Sequence, residues 1–385
     1  MKRLVAALLI IQLLACSGVV FAYEVLTHQD ISTNAVTASV LQTDGTVLSN
    51  LGLKPLSDEQ KFPNTEEQPR TIVQLFQDGS VFEDRSLFIN PRYLNHFYDP
   101  VYDRPLTVLG VPLGEKSPDW ALEDTGDVTG QGFLEQEFSF KEARQYFLNT
   151  LTKQSKGERD TYFGLTFQTL GQVIHHIQDM AQPQHVRNDL HPFHSDIADV
   201  TSSHFYEKYT DEVIGSLPFS GYNPVHFDTA RKFWVTGTGQ GIAEFTNNNF
   251  VSAGTNFTGS LSNIQSHPDY SLPDPQGLVL IETVNIKDLL SGTTLDGVLH
   301  FIGTLVNDEY DPSQEEFNLQ TSTYSIFDPE LTPTNQATFS LNRFNFDAAH
   351  QFLIPRAVAY SAGLIDYFFR GKIDMVPDPM NPLTP

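Results

Sequence analysis

The chain has 385 residues, with 47 acidic against 23 basic side chains, 40% hydrophobic content and a single cysteine. That much apolar residue excludes a wholly disordered chain and allows about two or three domains, or one large one. A formal charge of −24 argues against capture of a nucleic-acid backbone or an anionic membrane by charge alone, although a bound metal can invert the field locally.

Residues 1–22 read as an export signal. Lys2 and Arg3 precede the apolar run Leu4 to Ala15, and Val20-Phe21-Ala22 has the pattern of a signal-peptidase site. No comparable apolar run follows, so no transmembrane helix is predicted. Cleavage after Ala22 would make Tyr23 the first mature residue and remove Cys16, leaving a disulfide-free chain stabilised by packing or metal. Leu13-Leu14-Ala15-Cys16 is a rival lipoprotein box, but the apolar stretch runs on past Cys16. The predicted location is therefore secreted or periplasmic, with lipid attachment at Cys16 as the alternative.

His28 follows Tyr23 closely, and Asp84 and His96 sit in Glu83-Asp84 and Asn95-His96-Phe97-Tyr98-Asp99-Pro100. Thr161 to Ala181 places Phe163, Phe167, Leu170, Val173, Ile174 and Ile177 on one helical face. Pro183 is expected to end that helix. Its opposite face carries Gln168, Gln172, His175 and Asp179, with His175 and Asp179 at i, i+4. His185 follows just beyond the proline. An i, i+4 pair with a third ligand brought in by a turn is one way a helical protein builds a metal site; a solvated helix face is the plain alternative. His204 and Glu207, at i, i+3, share a face of a further predicted helix.

Phe227 to Phe250 is weakly helical and broken by Gly237, Gly239 and Gly241. Residues 252–345 are rich in Thr, Ser, Asn, Asp and Pro, with a β-branched run from Leu278 to Ile286; they read as loops with a few strands inserted into one domain. Pro355 is expected to open a last helix with an apolar stripe of Val358, Ala362, Ile365, Phe368 and Phe369, stopped by Gly371. The predicted organisation is thus a signal at 1–22, a helical domain over 23–374 containing the insertion, and a proline-rich tail over 375–385. His28, Asp84, His96, His175, Asp179, His185, His204 and Glu207 together offer nitrogen and oxygen donors without a thiolate, as suits zinc in a catalytic role.

This order of residues resembles the bacterial zinc-dependent phospholipases C and their relatives, the single-strand-specific zinc nucleases of fungi and plants. Family members have an N-terminal aromatic residue, an early His, an Asp, a His, then H-x3-D-x5-H, and a late His with a carboxylate one turn on. The matching positions here run from Tyr23 to Glu207, about half of the mature chain. The resemblance implies an all-α fold holding three zinc ions. Asp84, His96, His175 and Asp179 would hold the first, and His185, His204 and Glu207 the second. The third would take Asp179, His28 and the backbone amine and carbonyl of Tyr23. Two departures stand out: Tyr replaces the usual Trp at the N-terminus, and the late pair is spaced i, i+3 where the family usually has i, i+4. His191 or His194 is therefore an alternative to His204. In the doublet, His175 fits the relation to Asp179, leaving His176 for packing or for hydrogen bonding behind the ligands.

The activity implied is hydrolysis of a phosphodiester by a zinc-activated water, with Asp84 orienting or deprotonating that water and Glu83 the fallback for its role. No G-x-S-x-G, Walker loop or G-x-G-x-x-G competes, and Gly237 to Gly241 reads as a loop. The strongly acidic chain suits a neutral or zwitterionic glycerophospholipid, and transient contact with a membrane surface would go with it. A nuclease or 3'-nucleotidase of the same superfamily is the alternative, since nucleic acid is disfavoured yet not excluded by charge. A secreted binding protein that keeps zinc only for stability is a further one. No protein partner is implied.

Overall fold

The computed structural model describes residues 25–84, 92–125, 136–190, 203–252 and 346–370. Between these last two stretches it describes 257–260, 263–266, 280–287, 292, 294–305, 310, 316–324 and 339–341. Of residues 203–205 and of the strands beyond residue 256, the backbone alone is described. The expected signal, Cys16, Tyr23, Gly371 and the tail lie outside the described residues.

The described chain is mostly helical, in agreement with an all-α reading. It opens with α1 (Val25–Ala38), α2 (Val40–Thr43) and α3 (Gly45–Asn50), then a short ribbon of β1 (Lys61–Pro63) and β2 (Pro69–Thr71). Next come α4 (Ile72–Asp84), a 3-10 turn at Arg92–Asn95, a hairpin of β3 (Thr107–Val108) and β4 (Val111–Pro112), and α5 (Ser117–Leu122). The centre of the fold is α6 (Phe140–Thr152) and the long α7 (Lys156–Asp179), followed by α8 (Pro183–Val186), α9 (Ser203–Val213) and α10 (Ile242–Asn249).

Both central helices start at a serine three residues before a glutamate. Ser139 accepts from the Glu142 N–H at 3.1 Å, and Ser155 from the Glu158 N–H at 3.2 Å. Each cap satisfies one of the free N–H groups of a first helical turn. The Ser155 cap explains why α7 begins at Lys156, ahead of the expected Thr161. At its other end α7 stops at Asp179, before Pro183, which instead opens α8 from the first-turn position that proline favours.

The apolar face of α7 is buried as expected, and so is the face opposite: Gln168, Gln172, His175 and Asp179 are all buried. The solvated-face alternative is thereby excluded. α7 packs against α4, α6 and α11 (Phe346–Phe369), with α4 its closest partner. That closeness depends on two glycines. A β-carbon at Gly79 would lie 2.0 Å from the Gln168 carbonyl oxygen, and one at Gly171 would lie 2.3 Å from that of Phe76. With no side chain at either position the two backbones can touch, which brings the end of α4 against the middle of α7.

α11 begins nine residues before Pro355, which lies inside it. The expectation that Pro355 opens this helix is corrected. Proline leaves one carbonyl without its helical partner, a cost of roughly 3 kcal/mol in a helix interior. Burial of Phe346, Ala349, Phe352, Leu353 and Ile354 ahead of it drives the helix through regardless. Within 252–345 the strands go beyond scattered ones: β5 (Phe257–Ser260) pairs with β6 (Asn263–Ser266). β7 (Leu280–Lys287), β8 (Thr294–Leu305), β9 (Glu316–Tyr324) and β10 (Phe339–Ser340) form an antiparallel sheet in the order β10-β9-β8-β7. Gly237 and Gly239, both at positive φ, lie in a loop as expected.

Candidate metal centre

Five elements bring titratable side chains to one buried place beside the α4–α7 crossing. α1 supplies His28, the end of α4 supplies Glu83 and Asp84, and the residue after the Arg92–Asn95 turn is His96. α7 supplies His175, His176 and Asp179, and α8 supplies His185. All are at most 2% exposed.

Asp179 lies at the centre. Its Oδ2 is 3.1 Å from His175 Nε2, 3.2 Å from His96 Nδ1 and 4.0 Å from His185 Nδ1, while Oδ1 is 3.6 Å from His28 Nε2. Asp84 faces three of these rings: Oδ1 is 3.4 Å from His96 Nδ1 and 3.5 Å from His175 Nε2, and Oδ2 is 3.7 Å from His28 Nε2. Despite this crowding, Asp179 Oδ2 accepts no hydrogen bond. Within the cluster His175 Nε2 meets His96 Nδ1 at 3.3 Å, and ring nitrogens and carboxylate oxygens crowded around an unsatisfied carboxylate oxygen could surround a common cation. Two buried carboxylates also need nearby positive charge to offset their desolvation.

Three overlapping groups have ligand atoms close enough to share one ion: His28, His175 and Asp179; Asp84, His96 and His175; and Glu83, His96 and His176. These buried groups could hold metal ions. His175 belongs to two of them, which joins residues that the resemblance divides between separate ions.

Neighbours fix which ring nitrogen faces inward. His28 Nδ1 lies 2.5 Å from Gln178 Oε1, and the Gln178 amide nitrogen donates to Ser32 Oγ at 3.0 Å. The amide oxygen is thus set to accept from Nδ1, leaving the Nε2 lone pair of His28 toward Asp84 and Asp179. His185 Nδ1 is 3.2 Å from the His96 carbonyl oxygen, and its Nε2 is 3.6 Å from Glu207 Oε1. Phe97 stacks on the His185 ring at 4.4 Å. Gln184 donates to Glu207 Oε1 at 2.9 Å. His185 and Glu207 are therefore side by side.

Burial pushes the His28 imidazolium down to about 3, aided by His175, and pushes His96 well below its ordinary value. Both rings are neutral lone-pair donors at neutral pH. Burial opposes charge on His175 as well, but Asp179 and Asp84 raise it to about 9. Asp179 is held below its ordinary value despite burial, by His175 and His185.

Glu83, beside Asp84 in the chain, sits in a hydrogen-bond network of its own. Its Oε2 accepts from Arg92 Nη2 at 2.7 Å and Nε at 3.1 Å, and its Oε1 accepts from Trp120 Nε1 at 3.0 Å. His176 Nε2 approaches the same Oε1 at 3.2 Å, and its Nδ1 meets Ser117 Oγ at 3.2 Å. Burial would raise the Glu83 carboxyl, but Arg92 and His176 hold it well below the usual carboxylate range. His176 is thus turned toward Glu83 and Ser117, while His175 faces Asp179.

Tyr23, His191 and His194 lie outside the described residues. His204 falls on α9 one turn before Glu207, and its side chain lies outside them also. Sequence reasoning missed Gln178, Arg92, Trp120 and Ser117. Gln178 alone had a usable signal, because it sits one residue before Asp179 on a helix already suspected of being polar inside. No protein-family model matches the chain, and no curated protein matches it.

Proposed function

We propose that the chain is a secreted zinc-dependent phosphodiesterase acting as a phospholipase C on the phosphate ester of a glycerophospholipid. One observation carries the reading: the ligand atoms of His28, Asp84, His96, His175 and Asp179 converge from four separate segments, with His185 and Glu207 alongside. Every donor is nitrogen or oxygen, which suits zinc. The order of these residues along the chain, from His28 to Glu207, supports the same reading through its resemblance to the phospholipase C family.

Zinc held there would polarise phosphate oxygens and lower the pKa of water. The chain's own residues supply the rest. Asp179 offers both oxygens to different imidazoles, so it is the carboxylate that two ions would share. Gln178 orients His28 through Nδ1, and the His96 carbonyl orients His185 through Nδ1. Asp84, the last residue of α4, is the carboxylate assigned to take a proton from the attacking water. The charge of −24 suits a zwitterionic headgroup better than a polyanion.

A second reading is favoured by burial. Ligand side chains at most 2% exposed also suit a secreted protein that holds metal for stability without turnover. Metal analysis of the purified protein, with hydrolysis of a chromogenic phosphocholine ester and of single-stranded DNA, separates these. About three zinc ions with ester hydrolysis supports the phospholipase; DNA hydrolysis alone supports the nuclease. Bound zinc without turnover supports the second reading, and a metal-free protein that cannot be loaded overturns both.

A further inference from the structure

We propose that Glu83 is a positioning residue of the metal centre, a buried anion that sets the orientation and tautomer of His96 and anchors the Asp84 end of α4. The inference rests on the reading that Asp84, His96, His175 and Asp179 hold metal.

The Glu83 carboxylate is fully buried and pinned from several sides. Arg92 grips Oε2 through two nitrogens and lies over the Trp120 ring, its guanidinium carbon 5.0 Å from the ring centre. Arg92 also donates to Gln136 Oε1 at 3.0 Å, and the Gln136 amide nitrogen returns to the Trp120 carbonyl at 2.9 Å. Trp120 and His176 take Oε1. The frame is closed on itself, so the carboxylate has little freedom to move.

His96 stands between this frame and the cluster. Its Nδ1 faces Asp179, Asp84 and His175, at 3.2, 3.4 and 3.3 Å. Its Nε2 is buried, makes no hydrogen bond, and faces Glu83 Oε1 at 4.0 Å. That distance exceeds a hydrogen bond, so the coupling is electrostatic. A buried anion beside Nε2 favours the proton there and leaves the lone pair on Nδ1, where a metal would use it. Because Glu83 immediately precedes Asp84, fixing the one carboxylate also fixes the backbone that aims the other.

Glu83, His96 and His176 could instead be taken as a metal site of their own. The donors argue otherwise. Both Glu83 oxygens are already occupied by N–H groups, and a cation placed among them would face the Arg92 guanidinium at close range. The carboxylate is spent on holding, not on ligation.

The test uses Glu83→Gln, which keeps the shape and removes the charge, and Glu83→Gln/Arg92→Gln, which also avoids leaving a buried guanidinium unpaired. Zn2+ affinity is measured by chelator competition, Co2+-loaded protein is compared by its visible absorption, and melting in EDTA reads the fold by itself. Both variants are expected to bind as many Zn2+ equivalents as the wild type, one of them about 10- to 100-fold more weakly, with an altered Co2+ spectrum. Wild-type affinity and spectrum in the double variant, even with a lowered melting point in EDTA, would overturn the inference and leave Glu83 a structural group. Loss of one whole equivalent with the remaining spectrum unchanged would make Glu83 a ligand and overturn it also. If the wild type itself binds no Zn2+, the reading beneath it fails first.

Discussion

Asp179 is the side chain on which the proposed centre depends most, because its two oxygens face four imidazoles, those of His28, His96, His175 and His185. Asp179→Asn keeps the shape and removes the shared charge. It should cost at least one bound zinc and lower turnover by at least ~100-fold, more than the loss of a partner behind the ligands usually costs. His176→Ala removes only one of the contacts to Glu83, so its zinc count should stay at the wild-type value. Metal analysis of both variants checks the pair of outcomes, and a reversed order would mean that His176 is the ligand. The i, i+4 relation of His175 and Asp179 was legible because helical geometry alone puts them on one face. Asp84 and His96 were legible only through their order along the chain. Arg92, Trp120 and Ser117 were not, since nothing local distinguishes a buried polar side chain from a solvated one. Whether a polar group is buried is decided by distant segments.

At the scale of elements, the α4–α7 crossing positions Asp84 against His175, and it exists because Gly79 and Gly171 lack side chains. Gly171→Ala would drive a methyl to 2.3 Å from the Phe76 carbonyl oxygen. A loss of roughly 3 kcal/mol or more is expected, with reduced zinc content, because the helices must separate. Gly157→Ala, on the same helix with nothing within 4 Å, should instead stabilise by about 0.5 kcal/mol. Urea unfolding of the two variants reads the contrast. α11 carries a pH-dependent contact: Asp366 Oδ1 accepts the Val40 N–H at 2.7 Å. Burial raises its carboxyl to about 6, against the pull of that N–H and of His226. A carboxyl raised above its unfolded value of ~3.9 binds its proton more tightly when folded. Its stabilising share is complete below about pH 4 and is lost as pH rises through about 6. Asp366→Asn can still accept from Val40 but cannot ionise, so its stability relative to the wild type should improve by about 1 kcal/mol from pH 4 to pH 7.5. A variant-minus-wild-type difference in urea midpoint that is the same at the two pH values would contradict the raised carboxyl. The early start of α11 was hidden by Pro355, whose local preference is outweighed by apolar burial on both sides of it. The glycine crossing was hidden because a glycine within a helix looks like a weakness until its partner is known.

For the whole molecule, the candidate ligands come from α1, the end of α4, the segment after the Arg92–Asn95 turn, α7, α8 and α9. Segments far apart in the chain therefore meet at one place, where two buried carboxylates face the neutral rings of His28 and His96 and only His175, raised to about 9, opposes their desolvation with charge. Metal bound there acts on the folded state alone, because the unfolded chain scatters the ligands. The only cysteine is Cys16, within the expected signal, so no internal disulfide can substitute for that cross-link. At free zinc about 1,000 times the dissociation constant, binding adds ~4 kcal/mol to stability, which for a domain of this size moves the melting point by roughly 5 °C. Stripping zinc with a chelator should lower the melting temperature by that order, and adding zinc back should restore it. The same treatment of Asp179→Asn should produce a smaller shift, because part of the cross-link is already gone. A chelator that removes the metal yet leaves the wild-type melting point unchanged would mean that these helices hold together without it. The convergence of His28, Asp84, His96, His175 and Asp179 would then have to be maintained by packing alone, against the cost of two buried carboxylates.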